Sequence, residues 1–136
     1  MTYYFSCTID ADFDDAIART RAALQDEGFG IISEIDIQKT LRDKIGVDFR
    51  RYTILGACNP KLAYEALKLE NKVGTMLPCN VVVQETGNGV EVAAIDPVAS
   101  MQAIQNEQLG EKAAAVAGKL RSAIERIGVQ ASARPL

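Results

Sequence analysis

Changes in the period of hydrophobic and polar positions divide the chain into strands and helices. Apolar and polar residues alternate over residues 3–9, which indicates a half-buried strand with Cys7 on its apolar side. Residues 13–24 carry apolar side chains at helical spacing, behind an N-cap at Asp12 and before a stop at Gly28. The chain therefore begins with a strand followed by an amphipathic helix.

Two further strands each lead into a short helix. In the second, the alternation in GFGIISEIDI places Ile31 and Ile35 on one face and Glu34 and Asp36 on the other. Asp36 can cap the helix that follows it, and Gly46 can end that helix. The third predicted strand is RYTILGAC.

A Cys-Asn pair stands at the end of the third strand. Cys58 falls on the face that it shares with Tyr52 and Ile54, which we predict to point inward. Asn59 directly before Pro60 is a strong helix start, because an Asn side chain caps free N–H groups and proline suits the first helical position.

A second Cys-Asn pair opens the fourth predicted strand, in LPCNVVV. Cys79 shares a core-like face with Val81 and Val83, and Asn80 points the other way. A turn at Asn88-Gly89 then predicts an antiparallel hairpin with the fifth strand.

The C-terminal third is predicted to be helical. Asp96 stands before a proline and opens this region, Gly110 can interrupt it and Gly128 is predicted to end it. The predicted order is β-α-β-α-β-α-β-β-α, which gives an α+β fold with a mixed or mainly antiparallel sheet packed by helices. We predict a single domain over residues 1–128 and a flexible C-terminal tail over residues 129–136.

Composition and charge remove several classes of function. A net charge of −3 and a sequence pI of about 5.0 argue against nucleic acid as a partner. The longest apolar runs are far shorter than the ~20 residues that span a bilayer, so no membrane association is predicted. The chain has no histidine, which removes Ser-His and Cys-His nucleophile pairs and imidazole metal ligands. Three cysteines and no export signal predict a cytoplasmic protein with reduced thiols.

The two Cys-Asn pairs carry the candidate chemistry. A structural interpretation explains Asn59 as a helix cap and both cysteines as small apolar residues. The functional alternative is that Cys58, beside a helix N-terminus, is stabilised as a thiolate and meets Cys79 in space. Such a site could hold a nucleophile, a redox thiol or a soft-metal ligand. A closed zinc site would need four ligands, so we predict no metal and name no cofactor.

Two carboxylates form the remaining candidate site. Glu34 and Asp36 are predicted on one strand face, where a pair of carboxylates can perform acid-base catalysis. Such a face is more often simply solvated, and Asp36 already has a capping role.

Residues 28–96 resemble the domain-of-unknown-function family numbered 302. The matching elements are G-F-G, the E-I-D run, K-x-G-x-D-F, L-G-A-C-N-P and L-P-C-N-V. The chemistry-bearing or proline members of these elements are Glu34, Asp36, Lys44, Asp48, Cys58, Asn59, Pro60, Pro78, Cys79 and Asn80. The resemblance implies a compact, often dimeric α+β domain of cytoplasmic bacterial or archaeal proteins. It implies no established reaction.

We therefore predict a small-molecule or partner-binding protein without a defined reaction. The alternative is a thiol-dependent redox or sulfur-handling enzyme that uses Cys58 and Cys79. The candidate binding or thiol site comprises Cys58, Asn59, Cys79, Asn80, Glu34 and Asp36. We also predict a homodimer, in which a strand edge or helix contributes to an interface of about 800 Å² per partner.

Overall fold

A computed structural model of the protein describes residues 2–132, with side chains described through residue 129. The elements follow the predicted order, with a 3-10 turn and a separate four-residue helix added. They are β1 (Tyr4–Ile9), α1 (Phe13–Asp26), β2 (Gly30–Asp36), α2 (Ile37–Ile45), β3 (Tyr52–Cys58), α3 (Pro60–Leu69), the 3-10 turn (Val73–Met76), β4 (Cys79–Thr86), β5 (Gly89–Ile95), α4 (Pro97–Ser100) and α5 (Glu107–Ser132).

The five strands form one antiparallel sheet in the order β1-β5-β4-β3-β2. This confirms the predicted α+β class with a mainly antiparallel sheet. The β4–β5 hairpin turns at Gly87 and Asn88, one residue before the predicted pair. Gly89, with a φ of 138°, begins β5 opposite Thr86.

Helices α1 and α5 pack on one face of the sheet and form the main core with it. Several core side chains from the strands and from α5 have no solvent exposure at all: Leu55, Val81, Val83, Val92, Ala94, Leu120, Ala123 and Ile127. Burial of this apolar area is the main favourable contribution to folding. The apolar stripe of α5 is thus buried within its own chain.

The helix boundaries follow local capping interactions. The side chains of Asp12 and Asp96 accept hydrogen bonds from the backbone N–H groups of Asp15 and Val98 respectively. Gly46 takes the left-handed conformation that ends α2. These two predicted helix starts and the predicted end of α2 are confirmed. They were predictable from the sequence because each depends only on residues a few positions away.

The prediction that Ile31 and Ile35 share a face of β2 was wrong, and so was the inner face predicted for β3, whereas Glu34 and Asp36 do share a face. A bulge between Ile31 and Ser33 shifts the register, so Ile31 lies opposite core residue Ala57 while Ile35 lies opposite Ile54 on the other face. In β3 the buried face comprises Thr53, Leu55 and Ala57, whereas Tyr52 and Ile54 are only half-buried. Both faces of this strand are apolar, so alternation alone could not identify the inner one.

The face of the sheet opposite α1 and α5 is here called the open face. Its apolar residues remain half-buried or exposed: Tyr4, Tyr52, Ile54, Val82, Ala93 and Ile95. This face carries a shallow groove with a volume of about 360 Å³. Tyr4, Tyr52 and Val82 are among the residues that line it.

Helix α5 does not end at Gly128 as predicted. It passes through both Gly110 and Gly128 and continues to Ser132. A Cβ placed on Gly128 would lie 3.5 Å from the Cβ of Cys7, an ordinary van der Waals contact, so α5 passes directly beside β1 at this position. Of the predicted tail, residues 129–132 are helical, and residues 133–136 lie outside the described residues.

Candidate functional site

Asn59 is a helix cap. Its Oδ1 accepts a hydrogen bond of 3.2 Å from the backbone N–H of Leu62, and Pro60 occupies the first turn of α3. The predicted local role of this residue is confirmed. The Asn-Pro start turns the chain from β3 into α3 directly after Cys58, and thereby positions that cysteine between a strand and a helix.

Replacing Asn59 by alanine should lower the free energy of unfolding by roughly 0.5–2 kcal/mol, because the N–H of Leu62 loses its side-chain partner. Urea unfolding followed by circular dichroism measures this change. Asn71→Ala, at an exposed position beyond α3, serves as the control and should leave stability within ~0.5 kcal/mol of the wild type. Equal stability of all three proteins would show that the cap contributes nothing.

Cys58 and Cys79 are neighbours across the β3–β4 ladder. Ala57 lies directly opposite Cys79, so Cys58 is one step further along the adjacent strand. Cys79 is 6% exposed and Cys58 is half-buried, and neither is in a disulfide. The structure therefore places two cysteine residues on adjacent strands near each other, although the sequence separates them by a helix and a 3-10 turn.

Both cysteines line one small pocket beneath α3 and α5, here called the thiol pocket. Its cavity volume is about 40 Å³. Helices α3 and α5 and the loop before β4 supply much of its apolar wall, with residues Ala63, Ala66, Leu77, Leu109, Ala113 and Val116. Met101 and Lys112 also line it.

Burial raises the pKa of Cys79 to about 11, and the negative charge of a Cys58 thiolate adds to this effect. Cys79 therefore stays protonated at neutral pH. Cys7 lies elsewhere, packed against the main core beside Gly128. Burial, with a smaller contribution from the Glu91 carboxylate, raises the pKa of Cys7 as well.

The other three candidate residues lie apart from the thiol pocket. Asn80 is exposed on the open face and lines its groove. The Glu34 carboxylate pairs with the Arg21 guanidinium of α1. Asp36 caps α2 by accepting a 2.9 Å hydrogen bond from the backbone N–H of Lys39. Glu34 and Asp36 are thus engaged with separate partners, which leaves the paired-carboxylate hypothesis without geometric support.

The sequence did not predict that Met101 and Lys112 line the thiol pocket. Met101 follows α4, and the Lys112 ammonium lies 2.8 Å from the Glu65 carboxylate. Each fits an ordinary helical pattern in the sequence, so no local signal distinguishes it. Only the packing of α3 and α4 against α5 around this pocket places both residues in one lining with the cysteines.

The described residues contain neither a cluster of metal ligands nor a membrane-spanning helix. Within residues 2–132 no cluster of three or more Cys, Asp or Glu side chains is arranged to hold a metal ion. No helix in the same part of the chain has the length and apolar character needed to cross a membrane.

Comparison with known proteins extends the resemblance over almost the whole fold. The family described as "Domain of unknown function DUF302" matches residues 5–127. A search of curated proteins found no match. The fold is similar to a crystal structure of an uncharacterized conserved DUF302 protein from Bacillus stearothermophilus, with a TM-score of 0.87 and 26% sequence identity. That similarity covers 93% of this chain and 99% of the other. The chain therefore belongs to the DUF302 family, whose function is uncharacterised.

Proposed function

We propose that this protein binds a small ligand in the thiol pocket. The observation that supports this is that Cys58 and Cys79 line one apolar pocket although they come from different strands. An apolar wall with a few polar groups is the usual composition of a ligand site. A cavity needs a volume of roughly 10–15 Å³ to hold one water molecule. A pocket of about 40 Å³ therefore admits a ligand of only a few atoms.

Xenon gas tests whether the pocket accepts a guest, because xenon enters small apolar cavities. We expect xenon to shift the methyl signals of Ala66 and Val116 in carbon-13 NMR spectra of the wild type. Ala63→Leu adds side-chain volume to the pocket wall and should abolish these shifts. Ala114→Leu, on the exposed side of α5, is the matched control and should preserve them. Unshifted pocket methyl signals in the wild type would contradict the proposal.

The second candidate function is thiol redox or sulfur-handling chemistry. Cys58 and Cys79 lie on adjacent strands and line the same pocket, which favours it, while the high pKa of Cys79 weighs against this residue as the attacking thiolate. Oxidised dithiothreitol would take two hydrogens from the thiols as they join, and would itself be reduced. A protein lighter by two hydrogens, with the bond mapped to Cys58–Cys79, would favour this function. Persistent free thiols under the same conditions would remove it.

We also propose that the protein is a homodimer that buries the open face. The α5 stripe is already used within the chain, whereas Tyr52, Val82 and Ile95 on the open face remain partly exposed. A twofold interface must be complementary to itself. The open face offers this through side-chain charges of both signs, from Arg50 and Glu91.

A hydrogen-bonded chain of three polar side chains crosses the open face. The Arg50 Nε donates to the Gln84 Oε1 at 2.8 Å, and the Gln84 Nε2 donates to the Glu91 Oε1 at 2.9 Å. A cation and a carboxylate therefore lie at the two ends of one chain. Two copies related by a twofold axis can place each cation near the carboxylate of the other copy. We propose no nucleic-acid partner. The cytoplasmic location remains a prediction.

A further inference from the structure

The groove on the open face, here called the open-face groove, follows the strands in a regular layout. At one end, Gln84 of β4 lies opposite Glu91 of β5. In the middle, Val82 lies opposite Ala93, and both residues line the groove. Asn80 lines the other end, four residues before Gln84 on β4, which corresponds to roughly 14 Å along the strand. The groove therefore has an apolar floor between two polar ends.

Glu91 is the only charged side chain among the described residues that line the groove. Its Oε1 accepts a hydrogen bond of 2.9 Å from the Gln84 Nε2, which is a neutral donor. Within the part of the chain whose side chains are described, no lysine or arginine pairs with this carboxylate. Arg50 donates to Gln84 instead, and its guanidinium lies over the Phe49 ring at 4.3 Å. A half-buried carboxylate with only a neutral partner favours a cation as ligand.

Three tyrosines of the groove also favour a cation. Tyr3, Tyr4 and Tyr52 line it, and the rings of Tyr3 and Tyr4 meet edge to face with centroids 5.0 Å apart. The face of an aromatic ring attracts an ammonium group, and the ring also packs against hydrocarbon. The groove volume of about 360 Å³ falls within the range of roughly 300–1,000 Å³ that is typical of small-molecule sites.

The end of the groove away from Glu91 offers a neutral hydrogen-bonding group. Asn80 is exposed, and its amide has no hydrogen-bond partner within the described part of the chain. An amide both donates and accepts, so it can bind a hydroxyl group. Asn80 and Ile95 also line an adjoining recess of about 260 Å³, so the groove stays open for a longer ligand at this end.

We propose that the open-face groove binds an elongated organic ammonium compound. Its cationic group lies at Glu91, its hydrocarbon body lies over Val82 and Ala93, and a polar group at its other end lies at Asn80. This site is separate from the thiol pocket and does not depend on the ligand proposed there.

Binding in the groove has a consequence for the dimer proposed above. The same open-face residues would contact the second copy of the chain, so the ammonium compound and the second copy exclude each other. A ligand that binds only the monomer shifts the equilibrium towards the monomer. This consequence rests on the proposed dimer, whereas the binding itself does not.

Isothermal titration calorimetry of the full-length protein with 8-aminooctan-1-ol tests the binding. We expect this amine to bind, and 8-hydroxyoctanoate, which carries a carboxylate in place of the ammonium, not to bind. Glu91→Gln should weaken binding of the amine about tenfold or more, because the charge is lost while the shape is kept. Glu85→Gln is the matched control on the adjacent strand. Glu85 is exposed and is not among the residues that line the groove, so this variant should bind as the wild type does.

A measurement on the wild type keeps the test independent of variant folding. In carbon-13 NMR spectra the amine should shift the methyl signals of Val82 and Ala93 and leave those of Leu109 and Ala113 in the thiol pocket in place. Unmoved groove signals, equal affinity for the carboxylate probe, or equal affinity of Glu91→Gln would overturn the inference. Equal affinity for n-octylammonium, which lacks the hydroxyl, would remove Asn80 from the site.

Light scattering on the same samples separates this inference from the proposed dimer. We expect the amine to lower the measured mass towards that of one chain. A dimer mass that persists with the amine bound would place the second copy on another surface and leave the groove site in place. A single-chain mass without the amine, together with binding of the amine, would remove the dimer alone.

Discussion

Between pH 9 and pH 11 the wild-type protein should lose roughly 2 kcal/mol more of its free energy of unfolding than a Cys79→Ala variant does. Burial raises the pKa of Cys79 from its ordinary value of 9.0 to about 11 in the folded protein. Above pH 9 the unfolded chain carries the thiolate and the folded chain still holds the proton. The contribution is therefore fully present below pH 9 and is lost as the pH rises towards 11.

Urea unfolding of both proteins at several pH values measures this difference. All other titratable groups are present in both proteins, so their contributions cancel in the comparison. Cys58→Ala should reduce the loss only in part, because its charge is the smaller of the two causes. Parallel pH profiles for wild type and Cys79→Ala would show that Cys79 ionises as freely in the folded state as in the unfolded state.

Val82→Lys should convert the proposed homodimer into a monomer. Val82 lies on β4 in the middle of the open face, between Ile54 on β3 and Ala93 on β5. A lysine there would place an uncompensated ammonium in an apolar interface, which costs several kcal/mol. Size-exclusion chromatography with light scattering should give twice 14.7 kDa for the wild type and 14.7 kDa for the variant.

The matched control is Val98→Lys, the same substitution at an exposed position of α4, which should remain dimeric. Far-ultraviolet circular dichroism confirms that each variant is folded. A wild-type mass of 14.7 kDa across the micromolar range would rule out the dimer. A dimeric Val82→Lys protein would instead place the interface on a surface other than the open face.

The capped helix starts and the end of α2 were predictable because their interactions are local. Asp12, Asp36, Asn59 and Asp96 each cap the helix that directly follows, through hydrogen bonds that span two or three residues. Glycine at the end of α2 is equally local. The order of strands and helices, and with it the α+β class, follows from such signals and from the hydrophobic period.

The faces of β2 and β3, and the membership of the thiol pocket, were decided by the tertiary structure. A one-residue bulge reverses the side on which Ile35 lies, and its position depends on pairing with β3. Cys58, Cys79 and Met101 line one pocket only because α3 and α4 both pack against α5 around it. Contacts between residues so distant in sequence depend on the register and packing of the complete sheet, which no local pattern encodes. The sequence by itself therefore determined which elements form, and the tertiary structure decided which side chains meet.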